Sequence, residues 1–216
     1  MLLTHLGHAC LLVDAANVRI LIDPGAFSGD FLALGDLAAV VITHQHPDHL
    51  DVGRIGELVR RHPDATVFAD PGSRQVLADL GIETLATPPQ ATAFGAVTLR
   101  GVGQTHALIH DEIPRIPNVG VVITAPGEPS LYHPGDALDG EPGPVDILAF
   151  PLNAPWQRSR EMTAFLRRHA APTAVPIHDG LLNETGRALY LSQAGTLGSS
   201  ATTIRDLRGA GPITVS

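Results

Sequence analysis

The sequence predicts a layered α/β (α+β) fold, with sheet and helix packed around one core. Three observations carry that expectation. Short apolar runs of strand type alternate with stretches of helical periodicity in both halves of the chain. Hydrophobic residues make up 44% and charged residues 17%, a globular composition rather than a disordered one. With 216 residues, the chain can bury roughly 70% of its unfolded surface and needs no disulfide to fold. Its single cysteine, Cys10, cannot form an internal one.

The elements follow in order. Leu2–Leu6, Cys10–Val13 and Val18–Ile22 read as strands, the last two joined by a turn at Ala16-Asn17. Val40-Val41-Ile42 reads as a buried strand that delivers Thr43 and His44 to its end. Asp51 is placed to cap a helix running to Arg61, with Val52, Ile55, Leu58 and Val59 as its apolar face. Val67–Ala69 is a strand, and Pro71 opens a helix through Leu80 that stops at Gly81. Val97–Val102, Val119–Thr124, Ile147–Phe150 and Thr173–Ile177 read as further strands, and Arg160–His169 as an amphipathic helix. Ile113–Asn118 and Gly135–Pro144, rich in Pro and Gly, read as rim loops rather than linkers, so residues 1–216 are expected to form one domain.

Composition also excludes. All 14 basic residues are Arg, and the net charge is −8. Phosphate backbones are bound through Lys and Arg, so this balance argues against nucleic acid as a partner. A small anionic substrate stays open, because a bound metal can invert the local field. The start of the chain lacks the basic n-region of a signal peptide. No apolar run reaches the ~18 residues of a membrane span. The expectation is a cytoplasmic protein without membrane insertion, acting on a small molecule.

Histidine is over-represented: 11 residues against 6 Phe, 2 Tyr and 1 Trp. It gathers where protons or metals are handled. His44, His46, Asp48 and His49 fall within six residues, in Thr-His-Gln-His-Pro-Asp-His, directly after an apolar run. In an extended segment, positions 44, 46 and 48 share one side, and a turn at Pro47 swings His49 round. One loop can thus feed two adjacent metal ions, 44 and 46 on one, 48 and 49 on the other.

His-x-His-x-Asp-His after a short strand resembles the metallo-β-lactamase superfamily. Further matches follow in family order: Asp23 after Leu21-Ile22, His106 after Gly101-Val-Gly-Gln-Thr, Asp136 in His-Pro-Gly-Asp, and His178 in Val-Pro-Ile-His-Asp. Leu6-Gly7-His8-Ala9 and Pro176-Ile177-His178 are similar to the small single-domain hydrolases of the ascorbate-phosphate lactonase and N-acyl-phosphatidylethanolamine phospholipase D type. The resemblance implies a four-layer αββα sandwich with a metal site at one edge of its two sheets. It implies His44, His46 and His106 on a first divalent ion, Asp48, His49 and His178 on a second, and Asp136 bridging them. Zn²⁺ suits these ligands best, with Mn²⁺ or Fe²⁺ also accepted. A hydroxide shared by the two ions would then attack an ester, lactone or phosphodiester. The alternatives are a mononuclear iron dioxygenase of the same superfamily and a non-catalytic metal-binding protein.

Other residues carry weaker expectations. Asp48, through its second oxygen, is a candidate for proton transfer. His8 either points into the site or packs behind it. His110, four residues after His106, reads as a pocket residue on a loop. Asp23 reads as an orienter of ligands, His133 as either an orienter or a strand-end residue, and Trp156 as a pocket wall or core cover. Arg115 and Arg158 stand on rim loops, where they could bind an anion. His5, His62 and His169 read as surface or packing residues, and Cys10 as a small buried hydrophobe.

Overall fold

A computed structural model describes residues 1–215. The first half of the chain builds one sheet from Leu2–His5 (β1), Leu11–Ala15 (β2), Val18–Ile22 (β3), Ala39–Ile42 (β4), Thr66–Ala69 (β5) and Leu85–Ala86 (β6). The second half builds another from Thr92–Phe94 (β7), Val97–Val102 (β8), Gly120–Thr124 (β9), Leu131–His133 (β10), Ile147–Pro151 (β11), Thr173–Ile177 (β12) and Thr203–Ile204 (β13). The last strand, Ile213–Thr214 (β14), crosses back to the first sheet and pairs antiparallel with β1. The orders are β14-β1-β2-β3-β4-β5-β6 and β13-β12-β11-β10-β9-β8-β7. Each sheet is therefore bounded on both sides by a strand of two or three residues.

Alternation along the strands sorts the apolar residues into layers. In β4, Ala39 and Val41 face the space between the sheets, while Val40 and Ile42 face outward. Opposite them, Val121 and Ile123 of β9 point inward and Val122 outward. The outer face of the first sheet is covered by Ile55–Arg61 (α1) and Pro71–Asp79 (α2), through Ile55, Leu58 and Leu77. The outer face of the second is covered by Ser159–His169 (α3) and Glu184–Leu197 (α4), through Met162, Phe165, Leu166 and Ala194. The result is helix, sheet, sheet, helix.

Two expectations at element starts are corrected. Asp51 does not cap α1. Its Oδ1 accepts from the Gly53 and Arg54 amides and closes a separate turn, so the helix starts at Ile55. Cys10 is buried but lies just before β2 rather than within it. The helix α4, which the sequence did not mark, has only Arg187 and Ala194 fully buried, with Tyr190 and Leu191 half-buried against the same core. Arg187 anchors it further, donating Nε to Asp179 at 2.7 Å and a fork of two N–H groups to Asp206 at 2.7 and 2.6 Å.

Strand direction places the site. Within the first sheet, β1, β3 and β4 run parallel to one another; within the second, β8, β10, β11 and β12 do. His8, Asp23, the loop from His44 to His49, His106, Asp136, Trp156 and His178 all follow the C-terminal ends of these strands.

Candidate metal centre

The loop after β4 leaves the extended form after His44. The His49 and Leu50 amides both donate to the His46 carbonyl at 2.9 Å, so Asp48 is presented from a turn rather than from a strand side. Close packing makes room for that turn. A Cβ on Gly25 would collide with the Asp48 carbonyl, and one on Gly135 would lie 2.6 Å from Thr43 Oγ1.

Three sets of ligand-type atoms converge here: His44, His46 and His106; His8, Asp48, His49 and His178; and His44, His49 and Asp136. Asp136 lies between the first two sets. Its Oδ1 is 3.2 Å from His49 Nε2, and its Oδ2 is 3.1 Å from His178 Nε2 and 3.4 Å from His106 Nε2. His178 Nε2 is also 3.5 Å from Asp48 Oδ2, and His44 Nε2 is 3.1 Å from His46 Nδ1. Ligand atoms sharing a tetrahedral ion at ~2.0–2.1 Å sit about 3.3 Å apart, which is the spacing seen.

The outer nitrogens of four of the rings are spoken for. His106 Nδ1 donates to the Ala107 carbonyl and His178 Nδ1 to the Asn153 carbonyl, each at 2.7 Å. His49 Nδ1 donates to Asp23 Oδ2 at 2.8 Å. Thr43 Oγ1 donates to the same oxygen at 2.7 Å and accepts from His44 Nδ1 at 3.2 Å. These bonds fix the tautomers and turn the Nε2 lone pairs inward. There, His49 Nε2, His106 Nε2, His178 Nε2 and Asp136 Oδ1 are buried with no hydrogen-bond partner. Buried polar atoms seldom stay unsatisfied. Four of them converging is the arrangement of groups that share a cation, and the residues fit a metal on that ground.

Electrostatics separates the rings. Burial and the neighbouring His49 hold His44 well below the usual imidazole range. Burial also pulls on His49 and His178, but the Asp136 carboxylate outweighs it: His49 is held well above the usual range and His178 at about 9. Burial would raise Asp136, yet His178 and His49 keep it well below the carboxylate range. Asp48 is likewise held down against burial by the nearby His178 ring and by the hydrogen bond from His8.

His8 is positioned by backbone. Its carbonyl accepts from His5 Nε2 and from the His178 amide, both at 2.8 Å. Its Nδ1 accepts from the Gly180 amide at 3.0 Å, so Nε2 carries the proton and donates to Asp48 Oδ2 at 2.9 Å. His8, Asp23 and His178 all have left-handed backbones, with φ of 51, 49 and 58°. Such non-glycine strain gathers at functional sites, at about 1–3 kcal/mol each.

The structure places the other candidates as follows. Asp23 lies below the rings, accepting from the Thr43 amide, Thr43 Oγ1 and His49. Trp156 donates Nε1 to Asp136 Oδ2 at 2.9 Å and stacks edge-on against His106 and His178. His133 is buried at the end of β10, donating to the Ala9 carbonyl at 2.9 Å and accepting from the Gly135 amide. His110 is not brought to the cluster: it is exposed on its loop, where Nδ1 accepts from the Glu112 amide. Arg115 donates Nε to the His106 carbonyl at 2.7 Å, while Arg158 turns to Glu161. His5 packs under His8, His62 ends α1, and His169 stacks on Phe165.

Three supporting residues escaped the sequence reading. Thr43 bridges His44 to Asp23. Asn118 accepts from the Asp136 amide and donates to the Pro134 carbonyl, fixing the Asp136 turn. Gly180 sets the His8 tautomer. Thr43 at least adjoins the ligand run; nothing in the sequence marks Asn118.

Residues 2–178 match the family model described as the beta-lactamase superfamily domain. The chain is similar to Protein Rv0786c of Mycobacterium tuberculosis, 42% identical over 197 residues, covering 88% of this chain and 89% of that protein. It is similar to a UPF0173 metal-dependent hydrolase of Azorhizobium caulinodans, 30% identical over 206 residues, covering 83% and 86% of the two chains. Its fold is like that of YhfI from Bacillus subtilis, described as a metallo-beta-lactamase fold protein, with a TM-score of 0.72, 16% identity and coverage of 94% and 95%.

Proposed function

Since the chain belongs to the beta-lactamase superfamily and is a metal-dependent hydrolase by that kinship, we propose that it holds two divalent ions, Zn²⁺ first among them, and hydrolyses an ester, lactone or phosphodiester. The observation that carries this reading is the set of four unpartnered buried atoms between two ligand triads. His44, His46 and His106 would hold one ion, Asp48, His49 and His178 the other, and Asp136 both. Bound ions of this kind make water nucleophilic near neutral pH and offset charge on the leaving oxygen.

The chain's own residues supply the rest. His8 holds Asp48 by one oxygen. The Asp48 side chain is 21% exposed, against 3% for Asp136, so it is the ligand carboxylate within reach of a substrate. It is the group assigned to pass a proton to the leaving atom. Trp156 closes one wall and orients Asp136.

Native mass spectrometry with a panel of ester, lactone and phosphodiester substrates tests the proposal. The expected result is two ions per chain, one lost in His44→Ala and one in His178→Ala. Asp136→Asn should lower turnover by several orders of magnitude. A mononuclear iron dioxygenase needs one triad only, so a single iron with oxygen consumption would replace this reading. Wild-type hydrolysis by Asp136→Asn with two ions bound would defeat the bridging role.

A further inference from the structure

The loop that follows His106 is pinched at its base. The His106 amide donates to the Ile116 carbonyl at 2.9 Å, the Asn118 amide donates to the Gln104 carbonyl at 3.1 Å, and Thr105 bridges Pro117. The returning leg carries Arg115, whose Nε grips the His106 carbonyl. Among the described residues, no carboxylate lies within 4.0 Å of its guanidinium, and the side chain is exposed.

Two hollows meet at this arginine. A small recess contains His46 and His106 together with Ala107 and Arg115. A groove of about 320 Å³ is lined by Ala107, Arg115, Leu108, Leu138 and Trp156, with Asp139 and Glu161 also on its wall. Volumes of about 300–1,000 Å³ suit small ligands. The two acids line only the outer groove, and Glu161 is engaged by the Arg158 amide at 2.7 Å. Among the described residues, Arg115 is thus the one cation that lines both hollows, and Trp156, Leu108 and Leu138 give the groove its apolar wall.

We propose that Arg115 is the anion anchor of this site. The substrate class is then a small amphipathic anion. Its carboxylate or phosphate rests on the Arg115 guanidinium, and its apolar body lies against Trp156, Leu108 and Leu138. Guanidinium is suited to such groups because its fork matches two anionic oxygens. The word substrate rests on the hydrolase reading; the binding claim does not.

Trp156 is the only tryptophan, so its fluorescence reports the groove without turnover. Metal-loaded protein is titrated with octanoate and with 1-octanol, which share a chain and differ in charge. The expected result is binding of octanoate about tenfold tighter than octanol, the scale of a hydrogen-bonded charge pair. Arg115→Gln removes the charge while leaving an amide to hold the His106 carbonyl. It should erase the difference and leave octanol unchanged; Arg115→Lys should keep part of it. Equal affinities in the wild type would overturn the proposal. A preference surviving in Arg115→Gln at unchanged metal content would also overturn it, by giving the anion to the metals alone. If no substrate in the hydrolysis panel turns over, the fluorescence result still decides the role of Arg115.

Discussion

Asp23 lies beneath both ligand triads at once. One oxygen takes His49 Nδ1 directly and His44 Nδ1 through the Thr43 hydroxyl. Asp23→Asn should therefore weaken both ions together, by about 10–100-fold, the usual cost of removing a ligand's hydrogen-bond partner. Competition with a chelator would show this, and loss at one ion alone would contradict the shared role. Protons compete for the same lone pairs. In the metal-free chain, His49 is held well above its ordinary value and His178 at about 9. Their raised values stabilise the metal-free fold fully below the unfolded imidazole value of 6.5, and that contribution is lost as pH rises through 9. Loading near pH 7.5 must then expel protons, and affinity must fall as pH falls. Calorimetry in buffers of different ionisation enthalpy should register the release; a heat independent of buffer would refute it. The ligand run itself was legible because four donor residues adjoin in sequence. Thr43 and Asn118 were not, because their worth depends on which backbone groups the two sheets bring beside them.

Elements hold the site through close approach as much as through hydrogen bonds. Gly25 follows β3 where a side chain would strike the Asp48 carbonyl. Gly25→Ala should shift that turn, cost about 1–3 kcal/mol by overpacking, and reduce the ions bound; full metal content by mass spectrometry would speak against it. A helix cap gives a second case. Asp70 caps α2, accepting from the Gly72 and Ser73 amides at 2.8 and 3.0 Å. Asp70→Ala should cost about 1 kcal/mol in urea denaturation; an unchanged midpoint would contradict the cap. Elements with their own periodicity or caps, such as α2, α3 and the strands β3 to β5, could be read from the sequence. The helix α4 could not, since its apolar face is short, Tyr190, Leu191 and Ala194, and a buried arginine with two carboxylates completes it. Nor could β6, β7, β13 and β14, whose two or three residues exist as strands only because a neighbour offers hydrogen bonds.

Across the whole molecule, the ligands span both sheets, from His44 after β4 to His178 after β12. A bound ion pair ties these halves together, so EDTA should lower the melting temperature by about 5–10 °C at a hundredfold excess of metal over Kd. The three apolar layers and the Asp–His pairs keep the stripped chain folded; an unchanged melting curve for verified holo protein would contradict the tie. The short outermost strands govern a different property, the way copies of the chain meet. A long bare edge would recruit a second copy strand to strand, whereas a strand of two residues offers too little ladder to extend. On one side that protection is supplied by β14, which covers β1 and its Leu2 and Leu3. Deleting residues 212–216 would bare this edge, and light scattering should then rise steeply with protein concentration while the metal-binding rim, set at the strand ends, stays open to solvent. Scattering indistinguishable from the full chain would mean that β1 is guarded by something other than its last neighbour.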